Sequence, residues 1–91
     1  NVEFADEVSV EAARKALEAF PGVEVVDNPD EQLYPQPLET SGKNDVAVGR
    51  LRKDYSIEHG LNMWVCGDQI RKGAALNALQ IAEYMIAHDM F

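Results

Sequence analysis

The sequence predicts an α+β fold in which a mixed or antiparallel sheet packs with two helices. Two observations lead to this fold class. Short segments with alternating apolar residues indicate strands, while two other segments repeat apolar residues at helical spacing. Along the chain these segments run strand, helix, strand, long loop, strand, strand, helix. The 91 residues are enough for one small domain or for part of a larger one.

The first quarter of the chain predicts a strand, a helix and a second strand. Val2 and Phe4 alternate with more polar neighbours, which indicates a short, half-buried strand. Ser9 is a candidate N-cap. The helix that follows carries apolar residues every three or four positions, namely Val10, Ala13, Leu17 and Phe20. Pro21 and Gly22 end this helix, and the β-branched run 23–26 predicts the second strand.

Residues 28–45 form the least regular part of the sequence, with three prolines and a polar stretch over 40–45. A loop of this length in a small domain is often functional or covers a partner surface. Strand character resumes over 46–52. The alternation over 61–66 predicts the clearest strand of the chain.

The last helix is predicted to run from about residue 69 to about residue 88, with Asp68 as its N-cap. One face of it is apolar: Ala75, Ala78, Leu79, Ala82, Met85 and Ile86. Such a helix is roughly 28 Å long, so we expect it to reach beyond its own strands and pack on another domain. Gly73 weakens a helix relative to alanine, so a close contact should explain it.

Composition excludes several classes of protein. With 16 acidic and 8 basic residues, the net charge of −8 excludes a generic nucleic-acid binder, which needs a basic surface. The 46% hydrophobic content excludes a disordered acidic tail. No apolar run approaches the roughly 20 residues of a membrane span. A single cysteine excludes an intramolecular disulfide and predicts a cytoplasmic protein, and the start at Asn1 predicts a segment of a longer chain.

Cys66, His59 and His88 are the residues that most often carry nucleophilic or metal chemistry. Cys66 lies in an apolar strand without a basic neighbour, which favours a buried core or interface thiol over a nucleophile. His59 is predicted at a surface turn and His88 near the C-terminal end of the last helix. Their separations match no metal-ligand spacing, so we predict no metal site.

Positive charge is concentrated at Arg50, Arg52 and Lys53. Strand alternation places Arg50 and Arg52 on one face, where they could clamp an anion or pair with carboxylates across an interface. A solvated or salt-bridged strand face is the favoured interpretation. The segment 67–75 combines a helix start with small residues and with Gln69, whose amide both donates and accepts hydrogen bonds.

Several of these segments together resemble the C-terminal part of bacterial aspartate-semialdehyde dehydrogenase. The similarity covers essentially all of the chain, and its specificity lies in the combined pattern. It is carried by Tyr34-Pro35-Gln36-Pro37, Val48-Gly49-Arg50-Leu51-Arg52-Lys53-Asp54, Gly60-Leu61-Asn62-Met63-Trp64-Val65, Asp68-Gln69, Gly73-Ala74-Ala75, Asn77 and Gln80-Ile81-Ala82-Glu83.

The resemblance implies an NADP-dependent oxidoreductase that converts L-aspartyl-4-phosphate to L-aspartate-4-semialdehyde and releases phosphate. This step serves the biosynthesis of lysine, threonine, methionine and diaminopimelate. In the family a cysteine attacks the acyl phosphate, hydride reduces the resulting thioester, and a histidine moves the proton.

The resemblance also divides the chain. Residues 1–66 would complete a substrate and dimerisation domain like the C-terminal domain of glyceraldehyde-3-phosphate dehydrogenase. Residues 67–91 would form a terminal helix that packs on an N-terminal Rossmann domain, which binds NADP. The dimerisation domain implies a homodimer or higher homo-oligomer. No nucleic acid or membrane is expected as a partner.

Residue by residue, only Gln69 matches a functional position of the family, one that contacts NADP and that is Asn in some relatives. Cys66 and His59 do not align with the family's nucleophile and acid/base histidine. Those two residues, the arginine that binds the substrate carboxylate and the Gly-rich dinucleotide loop are all expected upstream of Asn1. We therefore expect the 91 residues alone to be inactive.

Two alternatives remain at the level of sequence. One is an independent acidic α+β module that binds other proteins through the apolar face of its last helix. The other keeps the acyl-phosphate chemistry with a different substrate, as in N-acetyl-glutamyl-phosphate reductase, although the match over 67–83 argues against it.

Overall fold

The structure, a computed structural model, describes residues 1–90. Its sheet contains four strands in the order β1-β4-β3-β2. The β1–β4 and β3–β4 pairs are antiparallel and the β2–β3 pair is parallel, so the predicted mixed sheet is confirmed. The strands are β1 (Val2–Glu3), β2 (Val23–Val25), β3 (Val46–Asp54) and β4 (Gly60–Cys66), and the α-helices are α1 (Val10–Ala19), α2 (Pro37–Thr40) and α3 (Leu76–Ala87).

Helix α1 begins where the sequence predicts. The Oγ atom of Ser9 accepts the backbone N–H of Ala12 at 3.1 Å, which satisfies one of the unpaired donors of the first turn. The helix ends at Ala19, before Pro21, and Gly22 adopts a φ of 88° in the turn to β2. Glycine adopts a positive φ without steric strain because it lacks a Cβ, so this turn explains why glycine follows the proline.

A β-bulge interrupts β3 between Gly49 and Arg52. Arg50 adopts a φ of 52°, which is uncommon for a residue with a side chain. The carboxylate of Asp27, only 3% exposed, accepts the backbone N–H groups of Arg50 and Leu51 at 3.1 and 3.3 Å. It also accepts Nη2 of Arg14 at 2.9 Å. One nearly buried carboxylate thus joins α1, the end of β2 and the bulge in β3.

The long loop is more regular than predicted, since it contains a 3₁₀ turn at Pro29–Glu31 and the short helix α2. Pro35 anchors it by packing fully buried over Gly49, where a Cβ atom would lie 2.5 Å from Cδ of Pro35. The indole N–H of Trp64 donates to the carbonyl of Pro35 at 3.0 Å. The loop is therefore held against β3 and β4 by packing and by a hydrogen bond.

The hydrophobic core is small and lies in β3 and β4. Its buried apolar side chains belong to Ala47, Val48, Leu51, Leu61 and Cys66. Helix α3, by contrast, contributes no buried residue. The radius of gyration is 14.7 Å, whereas a compact domain of this length has one of about 12 Å. The molecule is thus more extended than a compact domain of its length, which agrees with the lack of buried residues in α3.

The apolar face predicted for the last helix is exposed at four of its six positions, and Ala82 and Met85 are half-buried. Leu79, Tyr84 and Ile86 are each more than half exposed. The expected exposed hydrophobic face is thus confirmed. Within residues 1–90, no helix has the length and hydropathy needed to cross a membrane.

Candidate functional site

The start of the last helix is organised by Asp68. Its Oδ1 atom accepts the backbone N–H groups of Ile70 and Arg71 at 2.8 and 3.1 Å. Its Oδ2 atom accepts the N–H of Gly42 at 2.8 Å. Asp68 therefore caps the start of the helix, as predicted. The same carboxylate also binds the loop before β3. Nη1 of Arg71 reinforces this link by donating to Oδ1 of Asn44 at 3.1 Å.

The first turn of the helix is a π-helix over Arg71–Ala75, a geometry that the sequence analysis did not predict. The N–H of Gly73 donates to the carbonyl of Asp68, five residues earlier, at 3.0 Å. Single π-helical turns are rare and occur often at functional sites. The turn begins two residues after Gln69, the one residue that the resemblance assigns to the cofactor.

Gln69 is exposed, and its side-chain amide lies next to Gly73, four residues further along the chain. A Cβ atom at position 73 would lie 2.7 Å from Oε1 of Gln69 and 3.3 Å from its Cδ. The close contact expected at Gly73 is therefore made with the amide of Gln69, and not with a neighbouring strand. An exposed amide at a helix start can donate to and accept from a polar ligand.

Hydrogen bonds lower the pKa of the Asp68 carboxyl from its ordinary value. The N–H of Gly42 contributes most, followed by those of Arg71 and Ile70. Donors of this kind stabilise the charged form of a carboxyl group. Asp68 is thus held as an anion next to Gln69.

A second polar cluster lies further along the last helix, and no sequence pattern predicted it. Nζ of Lys72 donates to Oδ1 of Asn77 at 2.8 Å and to Oε1 of Gln80 at 2.6 Å. Lys72 is half-buried beside a cavity of about 500 Å³ that Phe20, Tyr84 and other residues line. Five-residue spacing does not place side chains together on an α-helix, so only knowledge of the π-helical turn could have revealed the pairing of Lys72 with Asn77.

The arginines of β3 are arranged differently from the prediction. The bulge breaks the alternation on which their shared face was predicted, yet both Arg50 and Arg52 line one cavity of about 530 Å³, together with Tyr34. Nη1 of Arg52 donates to the carbonyl of Arg50 at 2.6 Å. Lys53 lies 3.6 Å from a carboxylate oxygen of Glu7, an exposed ion pair of the kind favoured for this strand.

The thiol and imidazole groups do not come together. Cys66 is buried at the end of β4, as predicted. His59 precedes the start of that strand, so an extended chain of roughly 20 Å separates the two. The surface position predicted for His59 is wrong, because the residue is half-buried and its Nδ1 atom has no hydrogen-bond partner within residues 1–90.

His88 ends α3, as predicted. Its Nδ1–H donates to the carbonyl of Tyr84 at 2.8 Å, and the two rings stack with centroids 3.9 Å apart. Among the residues that the structure describes, no three His, Cys, Asp or Glu side chains form a metal-binding group.

Comparison with known proteins places this arrangement in a family. Residues 1–72 match the family described as "Semialdehyde dehydrogenase, dimerisation domain". The chain belongs to this family. The match extends through Asp68, Gln69 and Lys72 at the start of the last helix.

Two curated relatives show the extent of the similarity. This chain is 51% identical over 90 residues to an aspartate-semialdehyde dehydrogenase of Aquifex aeolicus, covering 99% of this chain and 26% of the relative. A Synechocystis enzyme of the same name is 50% identical over 86 residues, covering 94% and 25%. The chain spans about a quarter of the length of the curated relatives it matches.

A solved structure agrees with the sequence relatives. The crystal structure of aspartate semialdehyde dehydrogenase II from Vibrio cholerae superposes with a TM-score of 0.77 at 38% identity, covering 93% of this chain and 25% of that one. The family resemblance and the α+β fold of a dimerisation domain are therefore confirmed.

Asp68 generates a prediction about pH. Its folded-state pKa is depressed, so the stabilisation that its charge provides is present above about pH 3.9, the ordinary aspartate value, and is lost as the pH falls through the lower, folded-state pKa. We expect Asp68→Ala to be less stable than the wild type at pH 7 in urea unfolding, with a difference that shrinks towards pH 3.

Asp45→Ala is the matched control, since Asp45 is an exposed carboxylate of the adjoining loop. It should change the free energy of unfolding little at either pH. An Asp68→Ala deficit that stays constant between pH 7 and pH 3 would contradict the assignment.

Proposed function

We propose that the chain is the C-terminal quarter of an NADP-dependent aspartate-semialdehyde dehydrogenase. The whole enzyme would reduce L-aspartyl-4-phosphate to L-aspartate-4-semialdehyde with release of phosphate, in the biosynthesis of lysine, threonine, methionine and diaminopimelate. The observation that carries the proposal is the 51% identity over 90 residues to the Aquifex enzyme, which leaves almost no part of this chain unmatched.

The uncovered face of α3 supports the same proposal. A short chain buries a modest fraction of its surface, and an exposed apolar face of this kind calls for a partner. We propose that residues 1–66 belong to the substrate and dimerisation domain and that residues 67–91 pack against the NADP-binding domain of the same enzyme. The catalytic cysteine and histidine would lie in the other three quarters of the protein, which agrees with the separation of Cys66 from His59.

Gln69 is the residue of this chain that we assign to NADP. Its amide is exposed at the helix start, and Asp68 fixes the backbone on both sides of it through the N–H groups of Ile70, Arg71 and Gly42. A fixed backbone with an exposed amide fits a polar contact to a bound dinucleotide. The nicotinamide cofactor supplies the hydride, while this chain's contribution is to bind and orient it.

An independent interaction module is the second candidate, favoured only by the exposed face of α3. The two proposals differ in what happens when the remaining three quarters are present. In the dehydrogenase, that face is covered within one chain or one homo-oligomer, while an interaction module presents it to other proteins.

Enzyme activity tests the proposal directly. The full-length protein containing this chain is expected to form NADPH from aspartate semialdehyde and NADP only when phosphate is added, as followed at 340 nm. The isolated 91 residues should give no turnover, because they hold neither the nucleophile nor the dinucleotide loop. Turnover by the isolated chain would contradict the fragment assignment, and an inactive but folded full-length protein would contradict the activity.

Gln69 gives a residue-level prediction. In the full-length enzyme, Gln69→Ala should raise the Kd of NADP about 2- to 13-fold, the equivalent of one lost hydrogen bond worth about 0.5–1.5 kcal/mol. The KM of aspartate semialdehyde should change much less. Gln69→Asn keeps the amide and should retain most of the affinity. An NADP affinity that Gln69→Ala leaves unchanged would remove Gln69 from the cofactor site.

A further inference from the structure

Gly73 occupies an unusual place in the π-helical turn. Glycine is unfavourable inside a helix, and its φ here is not positive, so backbone freedom does not explain it. Its Cα faces the end of the Gln69 side chain: a Cβ would approach Oε1 to 2.7 Å and Cδ to 3.3 Å. The space that a side chain at position 73 would fill is the space that the Gln69 amide uses.

The atoms that surround position 73 differ in how easily they could move. The nearest is Oε1 of Gln69, the far end of a flexible side chain, while the carbonyl oxygen of Asp68, five residues earlier, lies at an ordinary 3.5 Å. A methyl group at position 73 would therefore displace the amide and leave the backbone in place. The hydrogen bond from the Gly73 N–H to the Asp68 carbonyl does not involve the added atom.

The backbone of Gln69 cannot readily move to accommodate such a change. The carboxylate of the residue before it, Asp68, accepts hydrogen bonds from the N–H of Gly42 in the loop and from the N–H groups of Ile70 and Arg71. With the backbone fixed, the direction of the Gln69 side chain depends on the room at position 73.

We propose that Gly73 is a positioning residue for the cofactor contact: by lacking a Cβ it lets the Gln69 amide lie against the helix start in one orientation. The inference rests on the proposed function, because it takes Gln69 as the group that meets NADP. It adds that glycine at position 73 serves cofactor affinity and not the stability of the fold.

Substitution by alanine separates these two roles, since alanine favours a helix where glycine disfavours it. In the full-length enzyme, Gly73→Ala is expected to leave the Tm unchanged or raised. It should increase the Kd of NADP, measured by calorimetric titration, within the same range of about 2- to 13-fold as Gln69→Ala. Gly73→Ala in a Gln69→Ala background should cause no further loss.

Gly67→Ala is the matched control. A Cβ at Gly67 meets only Cγ2 of Val46 at 3.5 Å, an ordinary contact, two residues from Gln69. This variant should bind NADP with unchanged affinity.

The possible results separate the two proposals. If Gln69→Ala weakens NADP binding and Gly73→Ala does not, the positioning role is overturned and the cofactor contact stands. If Gln69→Ala has no effect, the contact itself fails and the positioning role fails with it. A lower Tm for Gly73→Ala, or additive losses in the double variant, would also overturn the inference, because Gly73 would then act on folding or independently of Gln69.

Discussion

The exposed apolar face of α3 is the constraint on which the interpretation of this molecule depends. A helix with no buried residue and several large apolar side chains in water gains little from its own domain, because helix stability in proteins comes mainly from packing. The buried apolar side chains of the core lie in β3 and β4, and none belongs to α3. We propose that the rest of the protein, which corresponds to about three quarters of each relative's length, covers the apolar face of α3.

Two aspartates stabilise the irregular parts of the backbone. Each accepts hydrogen bonds from backbone N–H groups that would otherwise lack partners. Asp27 stabilises the bulge of β3 and ties it to Arg14 of α1. Asp68 stabilises the start of the last helix and ties it to Gly42. Charged acceptors make stronger hydrogen bonds than neutral ones, which suits positions where the chain departs from regular structure. The candidate cofactor residue follows directly after the second of these anchors.

Sequence patterns predicted the regular elements well because local rules govern them. Alternation gave β4, and a serine N-cap with a proline–glycine stop gave α1. The bulge at Arg50 was not predicted: Gly49 directly precedes it, but the carboxylate that stabilises it, Asp27, lies 23 residues away in the chain. The π-helical turn was also not predicted. Gly73 indicated a close contact, but only the folded structure shows that this contact is with the Gln69 amide. The cofactor role of Gln69 was inferred from the family resemblance. Without that resemblance, its sequence context would have indicated only an exposed amide.

Amide hydrogen exchange tests the central claim most directly, because it reports the opening of each helix and strand separately. We expect the amides of α3 to exchange slowly in the full-length protein and rapidly in the isolated 91 residues, while those of β3 and β4 stay protected in both. Equal, strong protection of α3 in a monomeric isolated chain would contradict it, since the helix would then be stable without any surface beyond its own domain.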